Sequence, residues 1–262
     1  MVSEKGGDRM GKLGRAMASE FLKMRRTWIL WIHLVMPVTG ITIFLLYYHY
    51  TRWNDWGKIS GYLEVLAVVC PTLVGIICAL AADQEKEAGH LQNLFGVTKS
   101  RCFIMAEKLA VLLICNLAAL FLATAGFGIG FGGGESNLKL PANFYLIMAM
   151  LLWLPQFFAY CFHLYLGLRF SKGITIGAGI VGSLLAALFL TGMGDEIWIF
   201  FPCAWAGRFT MYYISYIRGN INISFLTDQA KVGIILVGLL TLAGGVLFFV
   251  WVHVYEGSRI ED

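Results

Sequence analysis

Hydrophobic residues along this chain gather into long, uninterrupted runs near 28 to 50, 61 to 82, 103 to 131, 143 to 169, 174 to 193 and 231 to 254. Each reaches the roughly 20 residues that a helix needs to cross a ~30 Å hydrocarbon core. The runs are continuously apolar, whereas the strands of a membrane barrel alternate in hydropathy, and lipid cannot satisfy open backbone N–H and C=O groups. The pattern therefore predicts an all-α membrane protein, a bundle of six spanning helices. An even number of spans puts both termini on one side. Composition agrees, with 58% hydrophobic residues, 14% charged residues and a mean hydropathy of +0.72, against roughly 25% charged residues in soluble domains. Nearly all of the 262 residues are needed for spanning, which leaves no stretch for a separate catalytic domain. The expected organisation is a polar tail over 1–16 and a single transmembrane domain over 17–262.

Charge placement orients the bundle. Lys5, Arg9, Lys12, Arg15, Lys23, Arg25 and Arg26 crowd the segment before the first run, which by the positive-inside rule places both termini in the cytoplasm. That topological role accounts for the basic residues without a nucleic-acid partner. The first run is longer than the ~7–15-residue core of a secretory signal and no small-x-small cleavage site follows it, so it is expected to stay as a membrane anchor. Met1 to Met10 is polar and reads as a disordered tail. On this orientation the Arg52–Lys58 loop is external, Asp83–Arg101 is cytoplasmic, the glycine-rich stretch from Gly126 to Pro141 is an external turn, and the Arg169–Gly173 link and the tail from Glu256 are cytoplasmic. The remaining segment, 194 to 230, is external yet dense in aromatic residues, which suits a membrane–water interface. It is expected to form short helices on or dipping into the outer leaflet, broken at Pro202 and Gly207. Arg208 and Arg218 there run against the charge rule.

Candidate chemistry is sparse. Cys70, Cys78, Cys102, Cys115, Cys161 and Cys203 form no C-x-x-C pair and mostly sit in apolar runs, where cysteine behaves as a small hydrophobe. His90 and His163 lack the spacing of a metal site, and neither a metal nor a catalytic residue is assigned. The glycines at 126, 128, 130 and 132 to 134 lack the strand, helix and Lys-Ser/Thr of a phosphate loop. No Walker motif occurs, so if this chain is a transporter, ATP and magnesium would be handled by another polypeptide. Of the polar residues within spans, Asn116 and Gln156 suit interhelical hydrogen bonding, Glu64 lies near the outer end, and His163 is either a packing residue or part of a polar pathway. Pro37, Pro71 and Pro155 mark kinks.

The stretch from Asp83, DQEKEAGHLQNLFGVTKSRCFIMAEK, is too polar to span, and Leu91, Leu94 and Phe95 recur in it at helical spacing. Such an element either docks in the groove of a cytoplasmic partner or lies on the inner leaflet. Glu85, Glu87, Gly89, Gln92, Asn93 and Leu94, followed by Ser100, Arg101 and Lys108, resemble the segment between the second and third spans of ABC-2 type permeases. The wording AGHLQNLF and the stretch SEFLKMRRTWILWIHLVMPV at 19 to 38 are similar to the lantibiotic immunity branch of that family. The resemblance implies a type V exporter-like fold in a bacterial plasma membrane, with re-entrant helices between spans five and six. It implies a coupling helix on an ATPase, formed by Gln84, Glu85, Glu87, Gly89, His90, Leu91, Gln92 and Phe95. It further implies an amphipathic connecting helix within Met17 to Arg26, carrying Glu20, Lys23, Arg25 and Arg26. Its partners would be two ABC ATPase subunits, a second permease, identical or paralogous, and the bilayer. Its substrate would be a cationic, amphipathic antimicrobial peptide met by Trp198, Phe201, Trp205, Tyr212 and Tyr213. Two other classes stay open: a sensor or scaffold that binds a partner without moving substrate, and a membrane-embedded enzyme, for which no convergent nucleophile or acid–base pair is present.

Overall fold

The computed structural model describes residues 14, 17–25, 27–87, 101–133, 138, 140–219 and 223–254, the last helix up to residue 230 by its backbone alone. Every element among them is helical: α1 (17–25), α2 (Trp28–Tyr50), α3 (Asp55–Glu87), α4 (Arg101–Gly132), α5 (Phe144–Trp153), α6 (Gln156–Arg169), α7 (Lys172–Phe189), α8 (Pro202–Ile217) and α9 (Ile223–Val254), with short 3-10 turns at Gly192–Gly194 and Trp198–Phe200. Six of the described helical stretches are long and apolar enough to cross a membrane, with α5 and α6 together making the fourth. Of the polar tail expected over 1–16, residue 14 alone is described.

Local sequence sets where helices start and break. Thr27 caps α2 through its side-chain oxygen, which accepts from the Ile29 N–H at 3.4 Å, and Ser171 caps α7 by accepting from Ile174 at 3.3 Å. Pro155 has no N–H to continue the ladder, so the fourth span is divided between α5 and α6 at Leu154–Pro155. Helices α3 and α4 run to 33 and 32 residues, about 50 Å each at 1.5 Å per residue, and must project beyond a ~30 Å core. The apolar runs mark only the lipid-matched middle of these helices: α3 begins at Asp55 rather than 61, and α9 begins at Ile223 rather than 231.

Helix α3 is the central post, with α2, α6, α7 and α8 all packed against it. Its crossing with α7 is made close by glycine. A Cβ on Gly179 would lie 2.8 Å from the Pro71 carbonyl oxygen, and one on Gly75 would lie 2.9 Å from that of Thr175. Thr72 and Ser183 share a 2.7 Å hydroxyl–hydroxyl bond at the same crossing. Two main cores lie along the bundle. One, toward α1, joins Met24, Leu112, Tyr160 and Leu164; the other, toward the α2–α3 link, joins Leu63, Phe127, Phe144 and Met148, and in it Tyr62 stacks on Phe127 at 4.0 Å and donates to the Ala123 carbonyl at 3.0 Å.

Two sequence expectations change here. Gly126 to Gly132 is not a turn but the last two turns of α4. Its glycines give room to neighbours, since a Cβ on Gly128 would fall 2.4 Å from the Tyr145 ring and one on Gly130 would fall 2.4 Å from Leu45 Cδ1. Gly207 does not break the 194–230 segment either. Pro202 occupies the first turn of α8, where a missing N–H costs nothing, and the helix runs on through Gly207, which leaves room for Leu190.

The α3–α7 crossing yields a direct test. Gly179→Leu forces a side chain against the Pro71 carbonyl and should destabilise the bundle by about 1–3 kcal/mol, read as a lower unfolding midpoint in detergent. Gly177→Leu, with open space around its Cβ, should leave that midpoint in place.

Candidate functional site

At one end of the bundle, the end that carries α1, four helices meet through charge. Met17, Glu20 and Met24 lie on the inward side of α1, while Phe21 and Leu22 are exposed. Glu20 reaches Lys108 near the start of α4 at 3.1 Å, and Lys108 in turn reaches Glu85 near the end of α3 at 2.7 Å. All three side chains are at most 4% exposed. Lys23, one turn along α1, pairs with the same Glu20 carboxylate from the exposed side. Burial alone would raise the Glu20 carboxyl, but Lys108 and Lys23 outweigh it and hold the group below its ordinary value. Lys23 is raised, because Glu20 favours its charged form more than its own burial opposes it. Beside this cluster Lys86 donates to the Phe170 carbonyl at 2.8 Å and Lys172 pairs with Asp83 at 3.2 Å, which ties the end of α3 to the α6–α7 link.

The residues expected at a coupling contact divide sharply. Gly89, His90, Leu91, Gln92 and Phe95 lie outside the described residues, as does Arg26. Of the others, Glu87 is exposed, Gln84 is half-buried, and Glu85 is 2% exposed and spent on Lys108. Glu85 therefore supports the element from within and presents nothing to a partner. In α1, Glu20 is likewise an internal anchor, while Lys23 and Arg25 are exposed. Lys108 was legible as an ionisable residue inside an apolar run, a position that demands a partner, but its two carboxylates come from segments distant in sequence.

The opposite end is closed by α8. Arg208, 5% exposed, donates from Nε to the Phe189 carbonyl at 2.8 Å and from Nη2 to the Thr191 carbonyl at 2.7 Å, and its Nη1 meets Asp195 at 2.7 Å. These are the carbonyls that a helix end leaves without partners, so Arg208 caps α7. Trp198 and Trp205, expected to meet substrate, are 1% and 0% exposed. Trp205 donates to the Ile199 carbonyl at 2.8 Å, and Trp198 packs edge-on to Phe209 and Tyr212 and against Gly233 of α9. Both serve the core. Phe201, Tyr212 and Tyr213 are half-buried, and the side chains that stand out are Met193, Ile197, Phe200 and Tyr216.

Under this segment lies a cavity of about 560 Å³ bounded by α3, α6, α7 and the start of α8, with Pro71, Pro155, Val181, Phe200 and Cys203 in its wall. Its polar lining includes Gln156 and His163, both buried. The His163 ring hydrogen-bonds the Thr175 backbone, and its Nδ1 has no partner among the described residues. The chamber is mostly apolar with a few polar groups, and the exposed Phe200 stands in its wall. No group of three His, Cys, Asp or Glu that would hold a metal occurs among the described residues.

A family model described as ABC-2 family transporter protein matches residues 16–191, about two thirds of the chain. No curated protein and no solved structure matches it.

Two outcomes follow from the buried cluster. Lys108→Met strips the buried Glu85 of its partner and leaves Glu20 with Lys23 alone, and should cost about 3–5 kcal/mol, while the triple variant Glu20→Gln, Lys108→Met, Glu85→Gln should regain most of it; unfolding midpoints in detergent decide. The Glu20 carboxyl is lower in the folded chain than its ordinary 4.5. Its contribution is thus complete above that value and lost as pH falls through the folded one. As pH falls below about 4.5 the parent should lose midpoint faster than Glu20→Gln.

Proposed function

The chain belongs to the ABC-2 transporter family, and we propose on that footing that it is the membrane-spanning subunit of an exporter that takes cationic, amphipathic antimicrobial peptides from the outer leaflet. Family membership and six apolar helices make it a multi-pass transport subunit, and since the family normally works with an ABC ATPase, ATP hydrolysis is assigned to such a partner. On the charge-rule orientation the α1 end is cytoplasmic and receives two ATPase subunits, and α8 lies at the outer surface. A second permease, identical or paralogous, completes the path. Expulsion would confer resistance or self-protection on a bacterial cell.

The observation that supports the peptide reading is the cavity of about 560 Å³ with the exposed Phe200 in its wall. Amphipathic peptides occupy the same interfacial layer as such side chains. Their apolar residues match the chamber wall, and its polar groups, Gln156 and His163, supply hydrogen bonds without charge repulsion. At the other end, ATP-driven movement of the 88–100 segment would reach the bundle through Glu85 and Lys108. A peptide that binds one state of the chamber more tightly than the other biases the cycle.

The test is reconstitution of this chain with its ATPase in liposomes. Cationic amphipathic peptide should stimulate ATP hydrolysis, and Val181→Trp, which fills the chamber from an exposed position on α7, should reduce that stimulation about tenfold, a change worth ~1.4 kcal/mol, without loss of the recovered complex. Stimulation that is absent, or that is indifferent to Val181→Trp, overturns the peptide reading. Glu87→Lys, on the exposed side of the α3 end, should instead weaken recovery of the ATPase.

A further inference from the structure

A second cavity, of about 230 Å³, lies between α2, α3 and α4. Leu66, Val69, Leu73 and Leu120 are typical of its wall, yet His33 of α2 and Asn116 of α4 also line it, each 8% exposed. His33 Nδ1 stands 2.7 Å from the Ile29 carbonyl. A carbonyl only accepts, so Nδ1 holds the proton and, in the neutral ring, Nε2 is a free acceptor. Nε2 has no partner among the described residues, nor does Asn116 Nδ2, which is a donor. One turn on, Pro37 has no N–H to give the His33 carbonyl, a third acceptor beside the same cavity. A buried polar group left without a partner costs about 1–3 kcal/mol, and such groups are rare. Interhelical hydrogen bonding, the expected role of Asn116, does not account for its amide nitrogen.

We propose that this cleft binds a lipid alcohol, a molecule with one hydroxyl on an apolar body. The hydroxyl donates to His33 Nε2 and accepts from Asn116 Nδ2, and the hydrocarbon lies along the leucine and valine wall. A charged head finds no counter-charge, because no Asp, Glu, Lys or Arg among the described residues lines the cavity. A bare hydrocarbon leaves both polar atoms unpaired. Water alone meets the polar atoms, but the apolar remainder of such a cavity stays dry. At ~30 Å³ for a water-sized group the space holds about eight of them, the scale of an alcohol of about seven or eight carbons. The inference stands apart from the exporter reading, since it uses neither the α8 end nor any ATPase.

Octanol carrying a photoreactive diazirine is the probe, applied to the full chain in phosphatidylcholine nanodiscs, with labelled peptides mapped by mass spectrometry. The expected result is saturable labelling within 32–44 and 65–77 that octanol competes away and octane does not. Asn116→Leu should lower the saturable labelling about tenfold, the equivalent of one buried hydrogen bond. Gly40→Leu serves as the second variant. Gly40 lines the cavity and has open space at its Cβ, so leucine there fills the cleft without touching the polar pair and should abolish labelling in a normally folded chain. Labelling that fails to saturate, that octane competes equally, or that survives Gly40→Leu overturns the proposal.

Discussion

A lysine ammonium is about the least tolerable group to remove from water unless carboxylates surround it, and Lys108 is 1% exposed. It is held there because α1 and α3 each bring one glutamate to it. That requirement fixes the relative positions of three helices: α1 cannot lift away without baring Glu20, and the ends of α3 and α4 cannot separate without dividing Glu85 from Lys108. The 88–100 segment springs from these same two ends. Whatever acts on it acts on a charged knot, and the apolar core of Met24, Leu112 and Leu164 sits directly behind.

Much of the architecture was legible because lipid is a severe solvent. The span positions and the fourth-span break at Pro155 follow from run length and proline chemistry. Helix ends were less legible, since α3 and α9 continue into polar or aromatic sequence that hydropathy alone reads as loop. Glycine misled in one way twice: at 126–132 and at 207 it signals crowding by a neighbouring helix, and crowding is invisible until the neighbour is placed. For the site residues the difficulty was direction. Trp198 and Trp205 have the composition of an interfacial belt, but Gly233 and the Ile199 carbonyl offer them places inside. Glu85 looked like a docking residue for the same reason, its partner Lys108 being 23 residues further along the chain and on another helix.

The family match ends at residue 191, just past α7. The matched part contains α1, the charged knot, the α3–α7 crossing and most of the larger cavity's wall, while α8 and α9 lie beyond it. The match thus covers most of the cavity wall and stops short of α8, and the two stretches are joined where Arg208 of α8 grips the end of α7.

Helix α7 is fastened at both ends by different neighbours: Lys172 at its start to Asp83 of α3, and the carbonyls at and just beyond its end to Arg208 of α8. In between, Gly75 and Gly179 bring its backbone against that of α3. A helix fastened at both ends and along its length acts as a strut: it holds the two ends of the bundle at a spacing set by its own 18 residues, about 27 Å at 1.5 Å per residue.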